Sequence, residues 1–237
     1  MNMNKYCLIA CGVLEKEFTH LARQAENKID FNFLEQGLHN TPEKLKLQLQ
    51  AAINSVPTGY SAVLLGFGLC SKGLNGIKAG KTKLVVPRAH DCITFLLGSK
   101  ERYRQYFDAN PGTYWYSPGW IKTGTQPGKE RYNSTLEEYI MKYGLDNAEY
   151  LMRMEQSWLK GYKKAVYVDT GAGTPEKDIE FTKECAQWLK WEYDCLKGDS
   201  GLMQNLLAGK WDPRDFLVAE PGQSIVPSND ETILRTS

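Results

Sequence analysis

Cys11, Cys70 and Cys92 each follow an apolar run of the kind that forms a buried strand, and His90 stands two residues before the last of them. Three soft thiolates with one imidazole suit Zn²⁺, or an iron-sulfur cluster held by three cysteines and a different fourth ligand. His90 is expected as that fourth ligand or as an adjacent acid-base group. No C-x-x-C pair is present, so the set depends on a fold that carries distant residues to one place. Two metal-free readings stand beside it. Cys92 with His90 could form a nucleophilic pair, or the thiols could be buried packing with Asp91 capping the following helix. Arg88, two residues before His90, would offer a guanidinium to a carboxylate or phosphate of a ligand.

The elements that must position these groups are legible in the pattern. Lys5 to Ala10 reads as a strand, and EKEFTHLARQAE places Phe18, Leu21, Ala22 and Ala25 at helical spacing. Ile29 to Leu34 alternates like a strand. Thr41 and Pro42 then open a helix with a stripe of Leu45, Leu49, Ala52 and Ile53, Thr41 being the expected N-cap. Tyr60 to Leu65 and Thr82 to Val86 are further buried strands, the second followed by a short helix near Asp91. Strands joined by crossovers predict an α/β fold with a doubly wound, mostly parallel sheet flanked by helices. In such a sheet the carboxyl ends of the strands share one edge, where the three cysteines would meet.

Between the third and fourth strands runs GFGLCSKGLNGIKAG. Its glycines, Gly66, Gly68 and Gly73 among them, permit close approach of a cofactor or of another chain segment. From Ser99 the texture changes to aromatics among Gly, Pro and Lys, including TYWYSPGW, with helical patterns over 135–143 and 146–160. This predicts a helical, aromatic-rich insertion over about 99–160 in a single α/β domain spanning 1–237. The rhythm resumes with a strand at Lys164 to Val168, a glycine turn and helix, a strand at Glu192 to Leu196, a short helix and a strand at Asp215 to Ala219. The tail SNDETILRTS is expected to fray. Cys7, Cys185 and Cys195 fall inside elements and read as core, while His20 and His39 have no clustered ligand-type neighbours.

Composition bounds the function classes. A chain of 237 residues can build a core without disulfides. A formal net charge of +1 leaves no basic excess for a nucleic-acid backbone. The apolar run near the start is too short for a membrane span or a secretory signal. The expectation is a cytoplasmic protein that binds a small-molecule ligand and neither nucleic acid nor membrane.

IACGVLEKE, GFGLCSKGLNGI, LVVPRAHDCITFLLGSKERY, GTYWYSPGW and GLMQNLLAGKWDPRDFLVAEPGQ together resemble the domain-of-unknown-function family numbered 1638, from anaerobic bacteria and methanogenic archaea, over nearly the whole chain. PRAHDC is the most specific segment, and Ser71 is a small departure where the family often has glycine. Cys11, Cys70, His90 and Cys92 match the family's signature positions, so the resemblance implies a shared site there. Members often accompany corrinoid-dependent methyltransferase systems. That implies either a zinc protein making a substrate thiol into a methyl acceptor, or an iron-sulfur protein passing electrons to reactivate a corrinoid. A corrinoid protein or methyltransferase is the implied partner. The alternative from another class is a non-catalytic ligand- or partner-binding module, such as an accessory or chaperone of a corrinoid protein.

Overall fold

The structure, a computed structural model, describes residues 3–70 and 72–237. Ser71 and the side chain of His39 lie outside the described residues. The chain begins with β1 (Lys5–Cys11), α1 (Glu15–Ala22), β2 (Lys28–Leu34), α2 (Pro42–Ser55), β3 (Ala62–Gly66), β4 (Leu84–Pro87) and α3 (Cys92–Leu97). It continues through α4 (Lys100–Ala109), β5 (Thr113–Tyr116), α5 (Pro118–Thr123), α6 (Lys129–Tyr143) and α7 (Leu145–Glu155). Then come β6 (Lys164–Asp169), α8 (Pro175–Leu189), β7 (Glu192–Lys197) and α9 (Gly201–Ala208). Three short strands close the chain, β8 (Phe216–Ala219), β9 (Ile225–Pro227) and β10 (Leu234–Thr236).

The chain divides into two compact units, residues 1–104 with 198–237 and residues 105–197. The first is built on a five-stranded sheet of order β2-β1-β3-β4-β8. Its first four strands are parallel, as the apolar runs predict, and β8 joins β4 antiparallel at the edge. Every residue of β3 and β4 is buried, and so is β1 beyond Lys5, the pattern of strands covered on both faces. The helix α1 packs on α9, and α2 turns Leu45, Leu49, Ala52 and Ile53 into the core. Pro42 opens α2 at its first turn as expected, but the Thr41 side chain makes no capping hydrogen bond.

The second unit has its own parallel sheet, β5-β6-β7, so the strands predicted at 164–168 and 192–196 do not extend the first one. TYWY, expected within a helical, aromatic-rich insertion, is the strand β5. Tyr116 and Tyr167 are fully buried beside Ala165, Cys185 and Ala186, where two large rings fill the volume that aliphatic residues occupy elsewhere. Cys185 is core as expected, whereas Cys195 is exposed because it lies on β7, which pairs on one side only. Burial pushes the Cys185 thiol up to about 11. Cys185 is accordingly expected to resist iodoacetamide at pH 9 while Cys195 reacts, to be read by peptide mass mapping.

The tail also departs from expectation. β10 pairs antiparallel with β9, and Ile233 and Leu234 are buried. The apolar pair Ile233-Leu234 inside a polar tail is the signal that composition alone hides.

Candidate thiol site

The strand order β2-β1-β3-β4 reverses direction of growth between β1 and β3, which makes their carboxyl ends a topological switch point. Cys11 is the last residue of β1 and is buried. Cys70 lies four residues past the end of β3, and Cys92 opens α3 just after β4. These strand ends bring the three cysteines to one edge of the sheet, and Cys92 is the thiol whose proton affinity responds to both Cys11 and Cys70. Those neighbours, with burial, push the Cys92 thiol well above its ordinary range. Cys11 moves the other way, chiefly because the Cys92 thiol hydrogen-bonds to it, with the Val13 backbone also assisting. The arrangement is one shared proton set in which Cys92 holds its hydrogen and Cys11 releases one more readily.

Loop contacts fix this meeting. Leu69 N–H donates to the Ala89 carbonyl at 2.8 Å, and Cys70 N–H to the His90 carbonyl at 3.0 Å. The two loops run so close that a Cβ on Gly68 would fall 2.6 Å from Asp91 N and 2.7 Å from Asp91 Cα. Gly66 and Gly73 are similar: a Cβ would meet the Ala10 side chain at 2.5 Å and the Leu45 side chain at 2.6 Å. The expectation that Gly66, Gly68 and Gly73 line a cofactor therefore gives way to a packing role, since the protein's own atoms fill the space that each leaves.

Cys70 itself has φ of +45°, and Lys72 has +73°. A left-handed non-glycine residue costs roughly 1–2 kcal/mol, and such strain collects at functional sites. Gly is the residue that would relieve it. Cys70→Gly is expected to leave stability within about 1 kcal/mol of the parent while removing the thiol's contribution to any bound metal, to be read by urea unfolding beside a metal titration.

Beneath the thiols, Phe18 of α1 and Phe95 of α3 are both fully buried and meet edge to face, centroids 6.3 Å apart at 73°. Such a pair contributes about 1 kcal/mol beyond its area. It ties together the two helices that follow Cys11 and begin at Cys92.

Asp91 caps α3 by accepting from Ile93 N–H at 3.0 Å, as the sequence predicts. Its second carboxylate oxygen accepts from the Tyr103 hydroxyl at 3.0 Å. Burial raises the Asp91 carboxyl above its usual range, and the hydrogen bonds from Tyr103, Ile93 and Thr94 offset part of that. Tyr103 is the neighbour that sequence reasoning missed: it lies on α4, twelve residues from Asp91, with no local spacing to mark it.

His90 is exposed, its backbone carbonyl engaged by Cys70. Arg88 has a different role from the one expected. Its Nε donates to the Pro213 carbonyl at 2.8 Å, and Nη1 donates to the carbonyls of Thr232, at 2.8 Å, and Leu234. The guanidinium is thus a tether for the C-terminal segments through Nε and Nη1. Arg88→Met is expected to cost about 3 kcal/mol, since charge-assisted hydrogen bonds contribute about 1.5–3 kcal/mol each. Hydrogen exchange should show protection lost first at 233–237.

Among the described residues, no group of three or more His, Cys, Asp and Glu stands ready-made to hold a metal ion. A metal would therefore exchange the S–H···S contacts around Cys92 for bonds to itself, expelling protons as it entered. The donor types fit a soft ion, since thiolate is the ligand that zinc and iron-sulfur centres prefer. No helix among the described residues is long and apolar enough to cross a membrane.

No curated protein and no solved structure matches the chain. The model of one family, described as Protein of unknown function (DUF1638), matches residues 33–207, a span that holds Cys70, His90 and Cys92 and leaves Cys11 before its start. With three quarters of its length matched, and with the PRAHDC loop that closes the thiol site inside the match, this chain belongs to the family of proteins of unknown function DUF1638.

Proposed function

We propose that Cys11, Cys70 and Cys92 bind a single zinc ion, and that the protein serves the methyl-accepting step of corrinoid-linked one-carbon metabolism. The observation that carries the metal reading is the meeting of three thiols from three separate strand ends at the sheet's switch point. Zinc takes thiolates as ordinary ligands through Zn–S bonds of about 2.3 Å, and three of them complete all but one position of its tetrahedral set.

Three protein ligands would leave one coordination position open, the pattern of catalytic zinc. Zinc, when bound, lowers the pKa of a substrate thiol and so makes it a methyl acceptor. The protein's own residues do the rest. Cys11 anchors the set inside β1, the Asp91 cap and Tyr103 hold the start of α3 that carries Cys92, and the exposed His90 at the rim serves as the proton acceptor for an incoming thiol. The link to a corrinoid protein rests on the resemblance noted above.

Cobalt tests the ligand set. Anaerobic titration of the reduced protein with Co²⁺ should give about one equivalent bound, with the intense charge-transfer absorption of cobalt thiolate. Cys11→Ser and Cys70→Ser should each weaken that band. A spectrum identical to that of aqueous cobalt contradicts the proposal.

A further inference from the structure

The three thiols are not equivalent in access. Cys11 is 5% exposed, at the end of a strand paired on both sides. Cys70 and Cys92 are only partly buried. A small molecule approaching the switch point therefore meets Cys70 before it meets Cys11. Cys70 also sits in the loop with two left-handed non-glycine residues, a backbone with strain to release if the sulfur is drawn elsewhere. Cys92 is fixed at the start of α3, and its loop is tied to that of Cys70 by the bonds from Leu69 N–H to the Ala89 carbonyl at 2.8 Å and from Cys70 N–H to the His90 carbonyl at 3.0 Å.

We infer that Cys70 and Cys92 form a reversible disulfide with low-molecular-weight disulfides, and that this bond governs whether the site can take a metal. It rests on the thiol-site reading given under Proposed function and adds a regulation to it. The steps balance as ordinary thiol-disulfide exchange. Cys70, as thiolate, attacks one sulfur of the small disulfide RS–SR, whose S–S bond breaks and releases one RS⁻, which takes up the proton Cys70 gave up. Cys92 then attacks the Cys70 sulfur of the mixed disulfide, expelling the second RS⁻, and its own proton leaves with that group as RSH. The protein has lost two hydrogens, and one RS–SR has been reduced to two RSH. Two of the three metal ligands are then consumed, so the oxidised protein cannot hold zinc through the set. A thiol reductant reverses both steps.

The experiment uses the full chain, metal-free and reduced, without oxygen. It is incubated with excess 2-hydroxyethyl disulfide, alkylated, digested and mapped by mass spectrometry. The expected product links the peptides of Cys70 and Cys92, leaves Cys11 alkylated and disappears on treatment with dithiothreitol. Cobalt binding by the linked protein should fall at least about 100-fold and return on reduction, since loss of ligands exceeds the 10–100-fold effects of losing an outer-shell partner. Cys70→Ser, in a loop outside the core, should abolish the link. Cys92→Ser should trap a mixed disulfide on Cys70. Three thiols still fully alkylatable after incubation would overturn the inference, as would a link from Cys92 to Cys11. The two proposals fail distinguishably: reduced protein that binds cobalt yet forms no link overturns the redox step alone, and linkage in a protein that never binds cobalt overturns the metal reading and the regulatory role while leaving the disulfide.

Discussion

Cys92→Ala is expected to lower metal affinity by at least about 100-fold, a larger loss than removal of an outer-shell partner produces. The reason is its place as hub. Cys92 is the thiol whose proton affinity responds to both Cys11 and Cys70, so its removal deletes the ligand that neighbours the other two. The fold should survive, because Asp91 still caps α3 and Phe95 still packs on Phe18. The released Cys11 should also lose the hydrogen bond that draws its thiol below the ordinary range. Its alkylation rate should therefore need a higher pH in the variant than in the parent. Equal cobalt affinity in parent and variant would remove Cys92 from the site.

The second large effect is structural in origin and functional in outcome. Gly68→Ala puts a Cβ within 2.6 Å of Asp91 N, 2.7 Å of Asp91 Cα and 2.9 Å of His90 C. All three are backbone atoms, so no side chain can swing aside. The loops must part, which costs about 3 kcal/mol by the upper range of overpacking penalties, or a melting temperature lower by about 6–12 °C. Separation also breaks the bonds from Leu69 N–H and Cys70 N–H to the facing loop. Cobalt binding should therefore fall in Gly68→Ala even at temperatures where the variant is folded. A variant with unchanged melting and unchanged binding would show that the two loops are not coupled. Gly171→Ala is the contrasting case: its Cβ would meet nothing within 4 Å, and only its φ of +72° opposes the change.

Of the parallel strands of the first unit, β1, β3 and β4 were legible because each is short and apolar along nearly its whole length, which burial on both faces requires, and β2 was legible by its alternation. The pairing partners were not. Nothing in the pattern of KAVYV or EYDCLK distinguishes an extension of the first sheet from a sheet with TYWY, since period and composition report burial and not neighbours. The expectation that the thiols gather rests on a rule of topology, that ligands bind where strand order reverses in an open α/β sheet. Arg88 was misjudged because a guanidinium at a carboxyl edge fits a ligand anion and a set of backbone carbonyls equally well, and the carbonyls belong to residues 125 or more positions away. Tyr103 was invisible for the same reason of distance in sequence. Thr41 shows the limit of local rules: residue type and spacing suited a cap, yet its side chain makes no capping hydrogen bond.

The most direct test of a thiol zinc site is elemental analysis, with an absorption spectrum, of the protein isolated without oxygen. About one zinc per chain in the parent, colourless, and almost none in Cys92→Ala is the result predicted here. Metal-free protein whose Cys11, Cys70 and Cys92 all alkylate freely, or a brown protein rich in iron and sulfide, would contradict it.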